Sequence, residues 1–331
     1  VPRSLRQRSG WVLIAVVVFA TVGLQLASRS VARQIVAAVA ATTGAEVKYR
    51  GSRWRLGGDP GVVLSDFRVR GTGADLGEMV GAPMMAGVAY DLNCSRVEVI
   101  CRWSDLVGGN LNFSRVRLAG PSFMISGATD TVVCRGFDFA CEALAPDWTA
   151  LRLAGEIAQV EVPGISGDQV LVTATVQLPG PDAPPVLPSG GLATESLAVT
   201  GELSSPHGAV HLDRWLADAA AYLGKRQDLR DWSYDSLHHR FQLERGRYTI
   251  ESLELTGPVD LRASGWVDLG GELSVATFWR LPPGFVPDLG AMSFLALTLR
   301  DADGRIGLGL DFNGRAADPQ VSLKLGGGGR R

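Results

Sequence analysis

Histidine and lysine are scarce in this chain. Among 331 residues there are four His and only three Lys (Lys48, Lys225 and Lys324), so the basic side chains are nearly all Arg. The 32 basic residues stand against 34 acidic ones, a net charge of -2. That balance excludes binding to nucleic acid through bulk positive charge. Signatures of catalysis are missing as well: no nucleophile elbow, phosphate loop, HExxH or dinucleotide fingerprint occurs in its proper context. His238 and His239 are adjacent in an alternating stretch, so their rings face opposite sides of a strand and cannot share one ion. His207 and His211 lie four apart, but Pro206 and Gly208 place the first outside any helix, and no Cys or carboxylate is spaced to complete a site. The chain therefore reads as a non-enzyme, with no metal and no cofactor.

What is abundant is apolar material and glycine. With 46% apolar residues the chain can bury a large core, which excludes disorder of the low-hydrophobicity kind. The 41 glycines have no collagen-like period and suit many short strands and turns.

Arg3, Arg6 and Arg8 precede the apolar run Trp11 to Ala27 (WVLIAVVVFATVGLQLA). Such a run reaches about 26 Å as a helix, the short end of what spans a bilayer. The arginines hold residues 1–10 in the cytoplasm and send everything after Ala27 outward. The rival reading is a cleaved signal peptide, but Gln25 and Ala27 do not supply the pair of small residues its cleavage site needs. An uncleaved single-pass anchor at 11–27 is expected.

The four cysteines form two pairs of equal spacing, Cys94-x6-Cys101 and Cys134-x6-Cys141. In an exported chain this suggests disulfides, and the spacing is not the short knuckle of structural zinc sites. Within one extended strand each pair would face opposite sides, which favours bridges between the two segments. An antiparallel arrangement pairs Cys94 with Cys141 and Cys101 with Cys134.

Helical spacing of Ala32, Ile35, Val36 and Val39 predicts a short amphipathic helix over 30–41, stopped by Thr43-Gly44. A second helix is expected from His211 to Gly224, with Leu212, Trp215, Leu216, Ala219 and Leu223 on one face. Most of the rest alternates: Val63-Ser65-Phe67-Val69, Val116-Leu118, Tyr248-Ile250, Leu253-Leu255, Val259-Leu261-Ala263, Ile306-Leu308-Leu310-Phe312 and Val321-Leu323-Leu325. Period-two alternation marks antiparallel sheet with one buried and one wet face. A loose repeat, apolar-x-apolar-x-Gly, ends at Gly71, Gly120, Gly155, Gly201, Gly257 and Gly314, although any protein that ends strands with glycine would show it. The Pro/Gly-rich stretch 178–191 marks a linker between β regions at 28–177 and 192–325, followed by a tail at 326–331.

So many half-wet strands, with so few helices to cover them, require a closed sandwich or barrel, or a trough whose lining meets lipid. The candidate trough positions are Leu255, Leu261, Trp266 and Leu308.

The anchor, the short helix running into TGAEVKYRGSRWRL and VVLSDFRVRG, and then CRWSDLVGGNLNFSRVRLAGPSFMI resemble the N-terminal region of AsmA-like proteins. FQLERGRYTIESLELTGPVDLRASGWVDLGGELSV and GLDFNGRAADPQVSLKL resemble the C-terminal region of the same family. The resemblance implies a bacterial inner-membrane protein with a periplasmic body, mainly β: an elongated, twisted antiparallel sheet forming a groove, with one or two amphipathic helices. It implies lipid acyl chains as partners, with a role in phospholipid transport or outer-membrane assembly. The alternative is a docking module without lipid, bound to envelope or secretion-complex proteins, as in GspN-like accessory proteins of type II secretion.

Overall fold

The computed structural model describes residues 25, 28–41, 44–55, 58–72, 88–102, 113–127, 131–145, 148–178, 197–211, 231–268, 270–285, 300–316 and 318–325. The expected anchor, except Gln25, lies outside them, as do residues 212–224 of the second expected helix and most of the 178–191 linker. Among the described residues no helix is long and apolar enough to cross a membrane.

Helix α1 spans 28–41. It ends as the sequence suggests, at Gly44, which takes φ +64° and donates its N–H to the Ala40 carbonyl at 2.9 Å. Among the described residues seventeen strands follow in one sheet. They are β1 (Glu46–Lys48), β2 (Gly51–Arg55), β3 (Gly61–Thr72), β4 (Ala89–Cys101), β5 (Phe113–Ser126), β6 (Thr131–Ala143), β7 (Ala150–Val162), β8 (Ile165–Gln177) and β9 (Ala198–Ser205). The remainder are β10 (His207–His211), β11 (Asp231–Tyr234), β12 (Ser236–Glu244), β13 (Arg247–Thr256), β14 (Asp260–Asp268), β15 (Glu272–Leu281), β16 (Ile306–Arg315) and β17 (Asp318–Leu325).

Every ladder is antiparallel, and the order is a meander. β1 and β2 lie end to end along β3; β9 and β10, interrupted at Pro206, lie along β8; β11 and β12, interrupted at Asp235, lie along β10 and β9. These three collinear pairs leave fourteen ribbon positions, so the sheet extends about 62 Å across its strands at ~4.8 Å per step. The ladder from β8 to β9 and β10 makes the sheet continuous across the proline-rich linker. His211, expected in a helix, instead ends β10.

Two hairpins are legible in their turn residues. Pro163-Gly164 joins β7 to β8 with Gly164 at φ +86°, and Arg245-Gly246 joins β12 to β13 with both φ values positive.

A line of backbone kinks crosses the sheet. Asp66 (φ +50°) on β3, Gly136 (φ +61°) on β6 and Gln169 (φ +50°) on β8 are left-handed residues in mid-strand. The registers carry this line through Ser95, the neighbouring Gly120-Pro121 step and Ala158 to Pro206. At each crossing the alternation changes phase. Leu64 and Phe67 are three apart and both join the same core, which corrects the expectation that Val63, Ser65, Phe67 and Val69 share one face. Kinks of this type bend the strands that carry them.

The apolar face holds two cores. One combines Val31 and Ala32 of α1 with Val62, Leu64, Phe67, Val69, Val97 and Val99. The other gathers Trp279, Leu281, Phe285, Ile306, Leu308, Leu310 and Phe312, with Leu255 and Tyr234. Leu203 packs against both.

Candidate functional site

The registers place side chains in rows that run across the strands. One row joins Leu64, Val97, Leu118, Phe139, Gly155, Val172, Leu203, His239, Leu253, Ala263, Thr277, Leu310 and Leu323. A neighbouring row carries Val62, Val99, Val116, Cys141, Leu153, Ala174, Gly201, Phe241, Ile250, Gly265, Val275 and Phe312. Burial along these rows is uneven. At one end Leu64 is 0% exposed under α1, and at the other Leu310 is 0% exposed beside Leu281 and Phe285. Between them Val116, Leu118, Phe139, Leu153, Val172, Leu203, Phe241 and Leu253 are only partly buried. This central stripe of incompletely covered apolar side chains is the candidate site.

Three of the four sequence candidates share one row, which runs Leu308, Trp279, Leu261, Leu255, Leu237. Leu255 and Leu308 are sealed there at 2% and 0% exposure, while Leu261 is partly buried. They belong to the second core, beside the stripe. Trp266 is a correction: its row mates are Thr249, Ser274 and Asn313 on the polar face, where the Arg247 guanidinium lies 4.3 Å from its ring centroid. Its position five residues after Leu261 on the same strand already gives it opposite parity.

His239 and Tyr248 bring polar groups onto the apolar face beside Phe241. The His239 Nδ1–H donates to the Ser252 carbonyl at 3.0 Å, which leaves Nε2 to accept from the Tyr248 hydroxyl. Phe241 stacks on both rings. Burial pushes His239 below its ordinary value and raises Tyr248 to about 12, so both are neutral near pH 7. The other histidines lie on the polar side: His207 beside Asp168 and His211 beside Asp231, with His238 exposed.

The expected disulfides are contradicted. All four cysteines are thiols: Cys94, Cys101 and Cys134 are buried and Cys141 is partly buried. Cys94 and Cys101 lie on β4, Cys134 and Cys141 on β6, and β5 runs between them. Strands two steps apart are separated by about 9.6 Å, beyond the ~7 Å between Cα atoms that a disulfide tolerates. Burial raises the Cys94 thiol to about 11, which makes it a poor nucleophile.

The polar face is a lattice of ion pairs, most of them between strands. Arg55 donates to the buried Glu98 at 2.9 Å and Arg96 also pairs with it; Arg117 pairs with Asp138, Arg115 with Glu142, and Arg135 with Glu161. A shallow cleft of about 600 Å³ opens here among Arg55, Glu98, Arg115, Arg117, Asp138 and Glu142, whose charges satisfy one another. Among the described residues no cluster of three or more His, Cys, Asp or Glu could hold a metal ion.

Sequence reasoning found the apolar phase of most strands and missed the stripe, because no local signal says which apolar positions other elements cover. Comparison with protein-family models, with curated proteins and with solved structures returns no match.

Proposed function

We propose that this chain is an AsmA-like, membrane-anchored periplasmic protein whose sheet holds lipid acyl chains along its apolar face and serves phospholipid transport or outer-membrane assembly. The observation that carries this reading is the stripe from Val116 to Leu253, apolar but incompletely covered, between two fully packed ends. Folded chains seldom leave such a contiguous apolar surface without a ligand or partner for it. The kinks at Asp66, Gly136 and Gln169 support the reading, since bends aligned across neighbouring strands would curve the sheet into a trough running along the stripe. Burial of one methylene contributes ~0.8 kcal/mol, so eight contacted carbons supply about 6 kcal/mol before entropy losses.

The test is native mass spectrometry of the intact protein released gently from its membrane. Retained phospholipid that is lost when Leu118, Leu153 and Leu203 are changed together to Gln supports the reading. A lipid-free protein with an unchanged fold sinks it and favours the docking module of an envelope complex.

A further inference from the structure

The two edges of the sheet differ. At one edge β1 and β2 are three and five residues long, broken at Tyr49-Arg50, and the Ser52 carbonyl is taken by the Gln25 side chain at 3.2 Å. At the other edge β17 is continuous over eight residues and, among the described residues, has a ladder partner on one side only, β16. An open edge of this length exposes a row of backbone donors and acceptors that another strand can use.

We infer that β17 pairs antiparallel with β17 of a second copy of this chain about a two-fold axis through Val321. The choice of occupant follows from the strand's own pattern. Residues opposed across an antiparallel ladder share a face, so the apolar face continues across the junction only when the two residue numbers of each pair add to an even value. Centring on Val321 places Val321 against Val321 and Leu323 against Pro319 on the apolar side. On the polar side it sets Gln320 against Ser322 and Lys324 against Asp318. The only two charged side chains of the strand thus meet with opposite sign, twice per interface. Lys324 already leans over the sheet toward Asp311 of β16, which keeps its ammonium on the polar face. Pro319 lacks an N–H and removes one donor on each side, which makes the pairing short and specific rather than an open-ended edge. A two-fold axis also closes the assembly at two copies, because each sheet then presents only its interrupted β1–β2 edge outward. The apolar stripes of two sheets would run on across the joint, yet the pairing itself is independent of whether that stripe carries lipid.

The experiment is thiol cross-linking of the full-length protein in micelles with a single added cysteine, the site identified by peptide mapping. Val321→Cys lies opposite itself and is expected to give a 321–321 cross-linked dimer, whereas Ser322→Cys, opposed by Gln320, gives at least tenfold less, as expected from the wider diagonal spacing of such positions. Asp318→Lys sets like charges together at both ends and lowers the 321–321 yield by about tenfold; adding Lys324→Glu restores it. Equal cross-linking at 321 and 322, a yield insensitive to the charge reversal, or a protein that stays monomeric with Val321→Cys overturns the inference. Circular dichroism of each variant, unchanged from the parent, confirms that the sheet is intact when a loss is scored.

Discussion

Phe139 and Gly155 oppose each other across the β6–β7 ladder, and the phenyl ring fills the place of the side chain that glycine lacks: a Cβ built on Gly155 would lie 2.0 Å from Cδ1 of the ring. The same arrangement joins Tyr90 to Gly71 and Phe241 to Gly201, where the added atom would come within 2.4 Å and 2.5 Å of the ring Cζ atoms. Three glycines of the loose sequence repeat therefore act as floors for aromatic rings on the sheet and do not end strands. Gly155→Ala should destabilise the protein by about 1–3 kcal/mol through overpacking. Because the Asp138 carbonyl would also stand 2.7 Å from the new atom, Phe139→Leu should rescue Gly155→Ala only in part. Chemical denaturation of the two single variants and the double variant measures both effects.

Tyr234 fastens the sheet beside Pro206. Its hydroxyl donates to the Ser166 carbonyl at 2.9 Å and lies 3.3 Å from Ser205 Oγ, whose single proton lies within reach of both the Asp168 and the His207 carbonyl at 2.8 Å. The phenol occupies space over Gly167 and Gly208. Tyr234→Phe keeps the ring and removes the hydroxyl, so a loss of about 1 kcal/mol is expected. Gly208→Val should cost more, because the new side chain meets both the phenol and the Ser166 carbonyl. Thermal melts that rank Gly208→Val above Tyr234→Phe in damage check this order.

The cysteines should behave as four thiols. Denaturation without reductant, followed by alkylation and mass mapping, is expected to label Cys94, Cys101, Cys134 and Cys141 fully, and a reducing agent should leave the melting temperature unchanged. In the folded protein Cys141 should react before Cys94, which is 2% exposed with its thiol raised to about 11. A reductant-sensitive melt would show that strands β4 and β6 are linked after all.

The His239–Tyr248 couple predicts a stability profile with two shoulders. Burial lowers His239 from its unfolded value of 6.5, so an unfolded chain takes up a proton more readily than the folded one. That contribution is complete above about pH 6.5 and is lost as pH falls below it. Tyr248 is raised from 10.0 to about 12, so the unfolded chain ionises first and stability declines between those values. Paired carboxylates such as Asp138 and Glu161, lowered by Arg117 and Arg135, lose their contribution only in more acidic solution, below 3.8 and 4.5. Melting temperature followed against pH should lose the shoulder near 6.5 in His239→Phe and keep the carboxylate limb.

Much of this architecture was legible in the sequence. The unbroken alternation from Ile306 to Phe312 marked a strand whose Ile306, Leu308 and Leu310 are fully buried, and Gly44 marked the end of α1. The kinks were hidden because two of the left-handed residues, Asp66 and Gln169, are not glycine, and because the phase changes are coupled across strands far apart in sequence. The disulfide expectation failed for a topological reason: spacing between cysteines does not count the strands that a meander lays between them, and here β5 intervenes. Trp266 was misplaced although its parity relative to Leu261 was readable; its size and hydrophobicity outweighed the period. The stripe itself depends on which rows join the core shared with α1 at one end and the core that includes Phe285 at the other, a tertiary fact without a local signature.

The central claim, lipid along the stripe, is tested most directly by photocrosslinking in the native membrane. A photoreactive amino acid is placed at Val172 or Leu203 on the partly buried apolar row, and at Trp266 on the polar face of the same sheet. The account predicts phospholipid adducts, identified by mass, from 172 and 203 and none above background from 266. Adducts to protein alone from 172 and 203, or equal lipid labelling from both faces, would contradict it.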